Sequence, residues 1–369
     1  MAKRIAVMVE QFWHRVPGGT ARATAETLRA LAEVDDLELI GVAAAHRQST
    51  PPAFESPVPV KHARLPRPVL YDSWHRLGFP SVEQITGPVD LVWASAMVIP
   101  PPSVPIVTTV HDLDFLDAPE RLSRRGRNFF PLAWEVTQQR STLIVCPSEV
   151  VASACEARGV EASRLRVVPW GVTVESADAG AIEATKQRLG LPDRFVLWVG
   201  TLEPRKNLPG LVAAMVQIPD IPLVVAGPEG WVLDGEGVLN PLGERAIRVG
   251  KVDDADLRCL YAAATAFVLP SFAEGFGLPV LEAMSQGTPV ITSSGTATAE
   301  VACDSAILVD PADSSALASA IARVLDNPEL ASSLGEQGRQ QALLCSWKAT
   351  ATSYARIFDE AIELGTWKQ

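Results

Sequence analysis

Two carboxylates frame a glycine-rich stretch, Glu274-Gly275-Phe276-Gly277-Leu278-Pro279-Val280-Leu281-Glu282. Gly275 and Gly277 permit backbone angles and a close ligand approach that a side chain would block. Pro279 suits the first turn of a helix, where its missing N–H costs nothing. Val280, Leu281 and Met284 give that helix an apolar face, and Gly287 ends it. The N–H groups and positive dipole end of such a helix can hold a phosphate. Glu274 lies in the loop before the helix and Glu282 about one turn inside it. Carboxylates accept hydrogen bonds from hydroxyls, so the pair suits a polyhydroxylated ligand. A helix-capping Glu274 and a solvated Glu282 satisfy the same spacing, and both readings stay open at this point.

A second candidate site is Gly200-Thr201-Leu202-Glu203-Pro204-Arg205-Lys206-Asn207, which follows the apolar run Phe195 to Val199. Arg205 and Lys206 fall at the start of the next helix, where cations oppose the dipole unless an anion is bound. A diphosphate would resolve the conflict, with arginine as a bidentate donor and lysine as a point charge. The plain alternative is a solvated pair on a loop. Gly18-Gly19 follows the first strand and could bring backbone N–H groups to a phosphate, but it is not GxGxxG, and a tight turn accounts for it equally. His111-Asp112 ends another apolar run. A histidine there could orient a sugar hydroxyl or assist proton transfer, or simply bond to backbone. Asp112 and Asp114 form a DxD with no further ligands nearby, so no metal is expected.

The elements that must position these residues are short apolar strands alternating with helical patterns. Ile5 to Val9, Leu37 to Val42, Leu91 to Trp93, Ile106 to Thr108 and Leu143 to Val145 read as strands, and Val167 to Gly171 closes this half. Pro17-Gly18-Gly19 reads as a loop, with Thr20 capping the helix after it. Pro51 to Pro68 is proline-rich and reads as irregular. A short helix near 181–189 then restarts the rhythm with Phe195 to Val199, Leu223 to Ala226, Ile247 to Val249, Phe267 to Leu269, Val290-Ile291 and Ile307 to Val309. Such alternation implies an α/β protein of two doubly wound parallel sheets, with ligand crevices at the carboxyl ends of strands and a cleft between domains. The boundary is expected near Gly171 to Gly180.

Composition narrows the partners. A chain of 369 residues with 47% hydrophobic content suits two cores. The formal net charge of -11 argues against nucleic acid as the main partner. The five cysteines, Cys146, Cys155, Cys259, Cys303 and Cys345, show no CxxC spacing and are expected to be buried free thiols. No apolar run reaches the roughly 18–20 residues of a membrane span, and Ile5 to Val9 is too short for a signal-peptide core. A cytoplasmic protein is therefore expected. Arg121, Arg124, Arg125 and Arg127 before Phe129, Phe130, Leu132 and Trp134 could make a basic–apolar surface for peripheral membrane contact, or an ordinary amphipathic helix with a solvated basic face.

Taken together, these pieces resemble the family-4 retaining glycosyltransferases of GT-B fold, over nearly the whole chain and most strongly from Phe195 to Val309. The family's E-x7-E motif looks like Glu274 to Glu282, and its diphosphate-binding pair looks like Arg205 and Lys206. Gly18-Gly19 resembles its N-domain glycine loop and His111 its acceptor-side histidine. The resemblance implies two Rossmann-like domains: residues 1–172 on the acceptor side, with a C-terminal helix at 348–369 packing back on them, and residues 173–347 binding a nucleotide-diphosphate sugar in the interdomain cleft. It implies donor contacts from Gly18, Gly19, Gly200, Lys251, Val252, Gly275, Phe276, Gly277, Leu278 and Val280, with Glu274 at the donor sugar and Glu282 at the ribose. His111, Arg205, Lys206 and Glu274 would carry catalysis, without a metal or other cofactor. The expected reaction moves a hexose with retention to a glycan, lipid-linked or small-molecule acceptor. The Glu203-Pro204-Arg205-Lys206-Asn207 form looks like bacterial mannosyltransferases, making GDP-mannose the first expected donor. A non-catalytic sugar-nucleotide binding protein and a nucleotide-sugar epimerase are the alternatives.

Overall fold

A computed structural model describes residues 2–14, 17–51, 54–101, 103–119, 122, 124–230 and 235–366. The chain divides into two compact units, Met1–Gly171 with Trp347–Gln369, and Val172–Ser346.

In the first unit, seven parallel strands are ordered β3-β2-β1-β4-β5-β6-β7. They are β1 Lys3–Met8, β2 Leu37–Ala43, β3 Val60–His62, β4 Leu91–Ala94, β5 Ile106–Thr109, β6 Leu143–Cys146 and β7 Leu165–Val167. Their central members are continuous apolar runs because both faces of the sheet are covered. Successive side chains alternate between two cores. Ile5, Val7, Leu91, Trp93 and Val145 point to one core, and Ala6, Met8, Val92 and Ala94 to the other. The first core is completed by the helix Trp347–Thr366, which contributes Ala351, Tyr354, Ile357, Phe358 and Ala361 at helical spacing. The Tyr354 hydroxyl lies 2.8 Å from Thr109 Oγ1. Lys3 pairs with Asp359, and Arg166 with Glu360.

The second unit is a six-stranded parallel sheet ordered β10-β9-β8-β11-β12-β13. Its strands are β8 Val196–Val199, β9 Leu223–Ala226, β10 Ala246–Gly250, β11 Ala266–Leu269, β12 Val290–Ser293 and β13 Ile307–Val309. Strand order reverses between the neighbours β8 and β11. A doubly wound sheet opens a crevice beyond the carboxyl ends of its strands at such a point.

Three local expectations need correction, and a fourth segment can be described. The Gly18-Gly19 stretch is not a loop before a Thr20 cap: the helix Gly18–Leu31 already begins at Gly18, and Thr20 lies in its first turn. Gly18 takes φ +65°, which favours glycine, so chain direction sets its identity. Residues 51–68 are not wholly irregular, since β3 adds a three-residue edge strand there, in register with Gly41 to Ala43. The thiols are not uniformly buried: Cys303 is exposed and Cys345 half-buried. Finally, the helix Arg124–Arg140 turns its aromatic residues inward. Trp134 is buried, Phe129 stacks near Tyr71 and His75, and Phe130 near Phe115. Arg124, Arg125 and Arg127 stay exposed, while Arg121 lies outside the described residues. The helix is amphipathic, with an exposed basic start. No helix among the described residues is long and apolar enough to cross a membrane.

Candidate active site

The site is built from two loops that leave the carboxyl ends of β8 and β11. After β8 the chain makes a short 3-10 turn, Pro204–Lys206, and Asn207 adopts a left-handed conformation. The Asn207 side chain then caps the helix Leu208–Val216 by accepting from Gly210 N at 3.1 Å. Arg205 and Lys206 are thus placed before the helix and not on its first turn. The neutral Asn207 cap serves a helix N–H, and the charge of the two cations is met by an anion from another loop. Gly200 admits the lysine stem, because a Cβ there would fall 2.6 Å from Lys206 Cδ.

The anion beside the two cations is Glu274. Its Oε1 accepts from Lys206 Nζ at 2.7 Å and from Ser271 Oγ at 2.9 Å, and its Oε2 accepts from Arg205 Nη1 at 3.0 Å. The Glu274 side chain is 7% exposed and that of Lys206 9%. Burial pushes the Glu274 pKa up. The Lys206 and Arg205 charges, with hydrogen bonds from Lys206 and Ser271, outweigh that effect and hold the carboxyl at about 2. Arg205 also donates from Nε to Glu203 Oε2 at 2.9 Å and from Nη1 to Ala273 O at 3.1 Å. The result is a rigid carboxylate aimed between two cations. It caps no helix, because the following helix starts from Gly277 without a side-chain cap.

Gly277 has φ +109°, and a Cβ on it would meet Thr298 Cγ2 at 2.7 Å. Both constraints require glycine at this helix start. The helix Leu278–Ser285 carries Glu282 on its second turn. Glu282 is half-buried and accepts a hydrogen bond from the Tyr261 hydroxyl at 2.9 Å, so it is anchored and not merely solvated. Tyr261 is itself buried, with its ring edge-on to Phe267.

Other expected contacts are redistributed. Val280 N donates to Gly277 O at 2.9 Å, in the first turn of the helix. Phe276 and Leu278 bury their side chains in the core. Gly275 sits in the same loop, ahead of Phe276. Lys251 is exposed and Val252 half-buried, just beyond β10. In the first unit, His111 follows β5, and Gly19 is exposed on the first turn after β1. The His111 Nε2–H donates to Ser95 O at 2.7 Å, while Nδ1 is buried without a partner. Burial lowers its pKa, against the Ser95 hydrogen bond and the Asp112 charge, giving a neutral imidazole with a lone pair at Nδ1. The Asp112 Oδ1 accepts from Asp114 N at 3.3 Å within its own turn. Among the described residues no group of three or more His, Cys, Asp or Glu side chains could hold a metal.

Sequence spacing missed Ser271, Glu203 and Tyr261. Ser271 had a weak signal, being next to the strand end. Tyr261 had none, because its hydroxyl reaches Glu282 from another helix.

The fold and the paired site define a class, the two-sheet GT-B proteins. The solved structures most like this chain include sucrose-phosphate synthase from Thermosynechococcus elongatus, with TM-score 0.77 at 24% identity, covering 97% of this chain and 98% of that one. Anabaena Alr3699/HepE in complex with UDP and glucose matches with TM-score 0.75 at 18% identity, covering 97% and 100%. A model of Glycosyltransferase Family 4 matches residues 17–176, and one of Glycosyl transferases group 1 matches residues 181–341. The chain belongs to the family-4 glycosyltransferases of GT-B fold. Among curated relatives, O-antigen chain mannosyltransferase B of Escherichia coli is 41% identical over 169 residues, 43% of this chain and 44% of that protein. The chain thus spans less than half of that relative's length. D-inositol 3-phosphate glycosyltransferase of Corynebacterium glutamicum (strain R) is 29% identical over 286 residues, 70% of this chain and 67% of that protein.

Proposed function

We propose that this chain is a glycosyltransferase that moves a hexose from a nucleoside-diphosphate sugar to an acceptor hydroxyl, with retention and without a metal. The observation that carries the reading is the Arg205–Lys206–Glu274 cluster beside the carboxyl ends of β8 and β11. A lysine ammonium has three donors, and Glu274 takes one of them, so Lys206 can also meet a phosphate oxygen. Arg205 and Lys206 stabilise the charge that grows on the leaving diphosphate, the task a divalent ion would otherwise perform. Glu274, held ionised and fixed by three donors, positions the donor sugar and favours positive charge at its anomeric carbon. Glu282, steadied by Tyr261, accepts from the ribose hydroxyls. The acceptor hydroxyl attacks from the leaving-group side, and the departing phosphate takes its proton. The neutral His111 offers Nδ1 as an acceptor for an acceptor-sugar hydroxyl.

The donor follows from likeness alone. The Escherichia coli mannosyltransferase relative supports GDP-mannose as the first choice, whereas the UDP complexes of the HepE structure keep UDP-glucose in the test. Binding of GDP, UDP, dTDP and ADP is read as a rise in melting temperature, because a ligand bound only to the folded state stabilises it. The matching donor sugar should then release nucleoside diphosphate and label an acceptor. Arg205→Ala or Lys206→Ala should lower turnover by about 10²-fold at saturating donor. Near wild-type turnover in both variants would sink the assignment. Nucleotide binding without any transfer or donor hydrolysis would leave a binding protein instead.

A further inference from the structure

A cavity of about 410 Å3 opens in the first unit, lined by residues that have no role in the site described above. Three of its walls come from the carboxyl ends of adjacent parallel strands. Trp13 ends the 3-10 turn Glu10–Trp13 after β1, His46 follows β2 by three residues, and His62 is the last residue of β3. The three rings are locked together. Trp13 stacks on His46 with centroids 4.8 Å apart and planes 7° off parallel, and His62 meets Trp13 edge-on at 5.4 Å.

Each ring is also fixed by a polar contact behind the cavity. Trp13 Nε1 donates to Gln48 O at 3.0 Å. His46 Nε2 lies 2.9 and 3.0 Å from the two oxygens of Glu10, a side chain 6% exposed whose Oε2 also accepts from Ala44 N. His62 Nδ1 donates to Ala44 O at 2.8 Å. One nitrogen of each imidazole is therefore committed, and the other can still make a hydrogen bond.

The remaining lining decides the ligand class. Arg47 and Glu55 balance in charge, and Ser49, Thr50 and Ser56 supply hydroxyls. Val58, Val60 and the Trp13 ring add an apolar part to the wall. A phosphate would need an excess of cations, and an acyl chain a wall free of charged and imidazole groups. A preorganised aromatic platform ringed by hydroxyl, amide and imidazole groups suits a neutral ligand with apolar C–H faces and many hydroxyls. We infer that this cavity binds a neutral sugar residue of a glycan acceptor, a unit other than the one that receives the transferred hexose. The inference rests on the glycosyltransferase reading and deepens it, selecting a glycan among the acceptor classes.

The test uses the full chain with α-linked mannobiose, mannotriose and maltotriose, and with inorganic phosphate, followed by titration calorimetry. At least one oligosaccharide should bind saturably in the millimolar range, and phosphate should not. Trp13→Ala should weaken that binding at least about tenfold, as loss of a central aromatic anchor does. Because Trp13 also packs against the core, Ser49→Trp serves as a second variant. It fills the cavity from an exposed position without removing a packed side chain. In both variants the nucleotide-induced rise in melting temperature should remain, and the KM for longer acceptors should rise with kcat within about twofold. Absence of oligosaccharide binding by the wild type, or wild-type binding by both variants, overturns the inference. Loss of nucleotide binding in the wild type would instead overturn the donor reading, whatever the sugars do.

Discussion

Glu274 is held by one lysine, one arginine and one serine hydroxyl, and its charge is the reason the loop keeps its shape. Removing one of the two cations leaves the buried carboxylate with a single opposite charge, which costs up to about 3–5 kcal/mol. Lys206→Ala should therefore lower the urea midpoint of the second unit as well as turnover, whereas Arg248→Ala, the loss of a more exposed pair with Glu229, should change stability little. The depressed pKa gives the sign of the pH effect. A carboxyl held at about 2 adds stability that is complete above its ordinary value, near 4.5, and is lost as pH falls toward 2. The stability gap between the wild type and Glu274→Gln should thus be constant from pH 7 to 5 and shrink below that. A gap unchanged down to pH 3 would show that the charge is not what holds the loop. Tyr261→Phe removes the hydroxyl that anchors Glu282. It should weaken nucleotide binding by about three- to tenfold with kcat little changed, as loss of a hydrogen bond to a charged group does, and titration with the matching nucleoside diphosphate reads it directly. Arg205, Lys206, Glu274 and Glu282 were visible in the sequence because their types and spacing are unusual. Ser271 and Tyr261 were not, since each acts through a distance that only folding creates.

At the scale of elements, the strands were legible for a physical reason. A strand covered on both faces has no polar side to interrupt it, so Val196 to Val199 and Ala266 to Leu269 stand out as unbroken apolar runs. Where that logic stops, reading from sequence failed. The edge strand β3 has only three residues and exposed side chains, and the start of the Gly18–Leu31 helix depends on one left-handed glycine. The placement of Arg205 and Lys206 was misjudged by one turn, because a 3-10 segment and the Asn207 cap intervene. That short segment makes Gly200 a sensitive position. Gly200→Ala pushes a methyl group into the Lys206 stem, which is flexible and must shift away from Glu274. The expected outcome is a fall in turnover of at least about tenfold, from misplacement of a charge-stabilising group, with only a small loss in melting temperature. A large drop in stability with normal specific activity would contradict it.

For the whole molecule, two units agree with length and apolar content, and a parallel sheet in each follows from the alternation of strands and helices. The resemblance, not the periodicity, gave the expectation for the C-terminal helix. Its contacts show that periodicity contained the answer: Ala351, Tyr354, Phe358 and Ala361 form one stripe. Phe358→Ala should destabilise the first unit by about 3–5 kcal/mol, the usual loss for a fully buried aromatic ring. In thermal unfolding the second unit should keep its own transition.

That helix also sets an order of events during synthesis. The first sheet is made earliest, yet one of its cores cannot close until residues 347–366 have been translated. Residues 172–346 form a contiguous unit and can fold as soon as they clear the ribosome. The usual sequence, in which the N-terminal unit matures first, is reversed here. The two strands of chain that bracket the contiguous unit are joined by a bond from Val172 N to Cys345 O at 3.0 Å. Nascent chains arrested before Trp347 should yield a protease-resistant fragment from the later-made unit, while the earlier-made one is still digested.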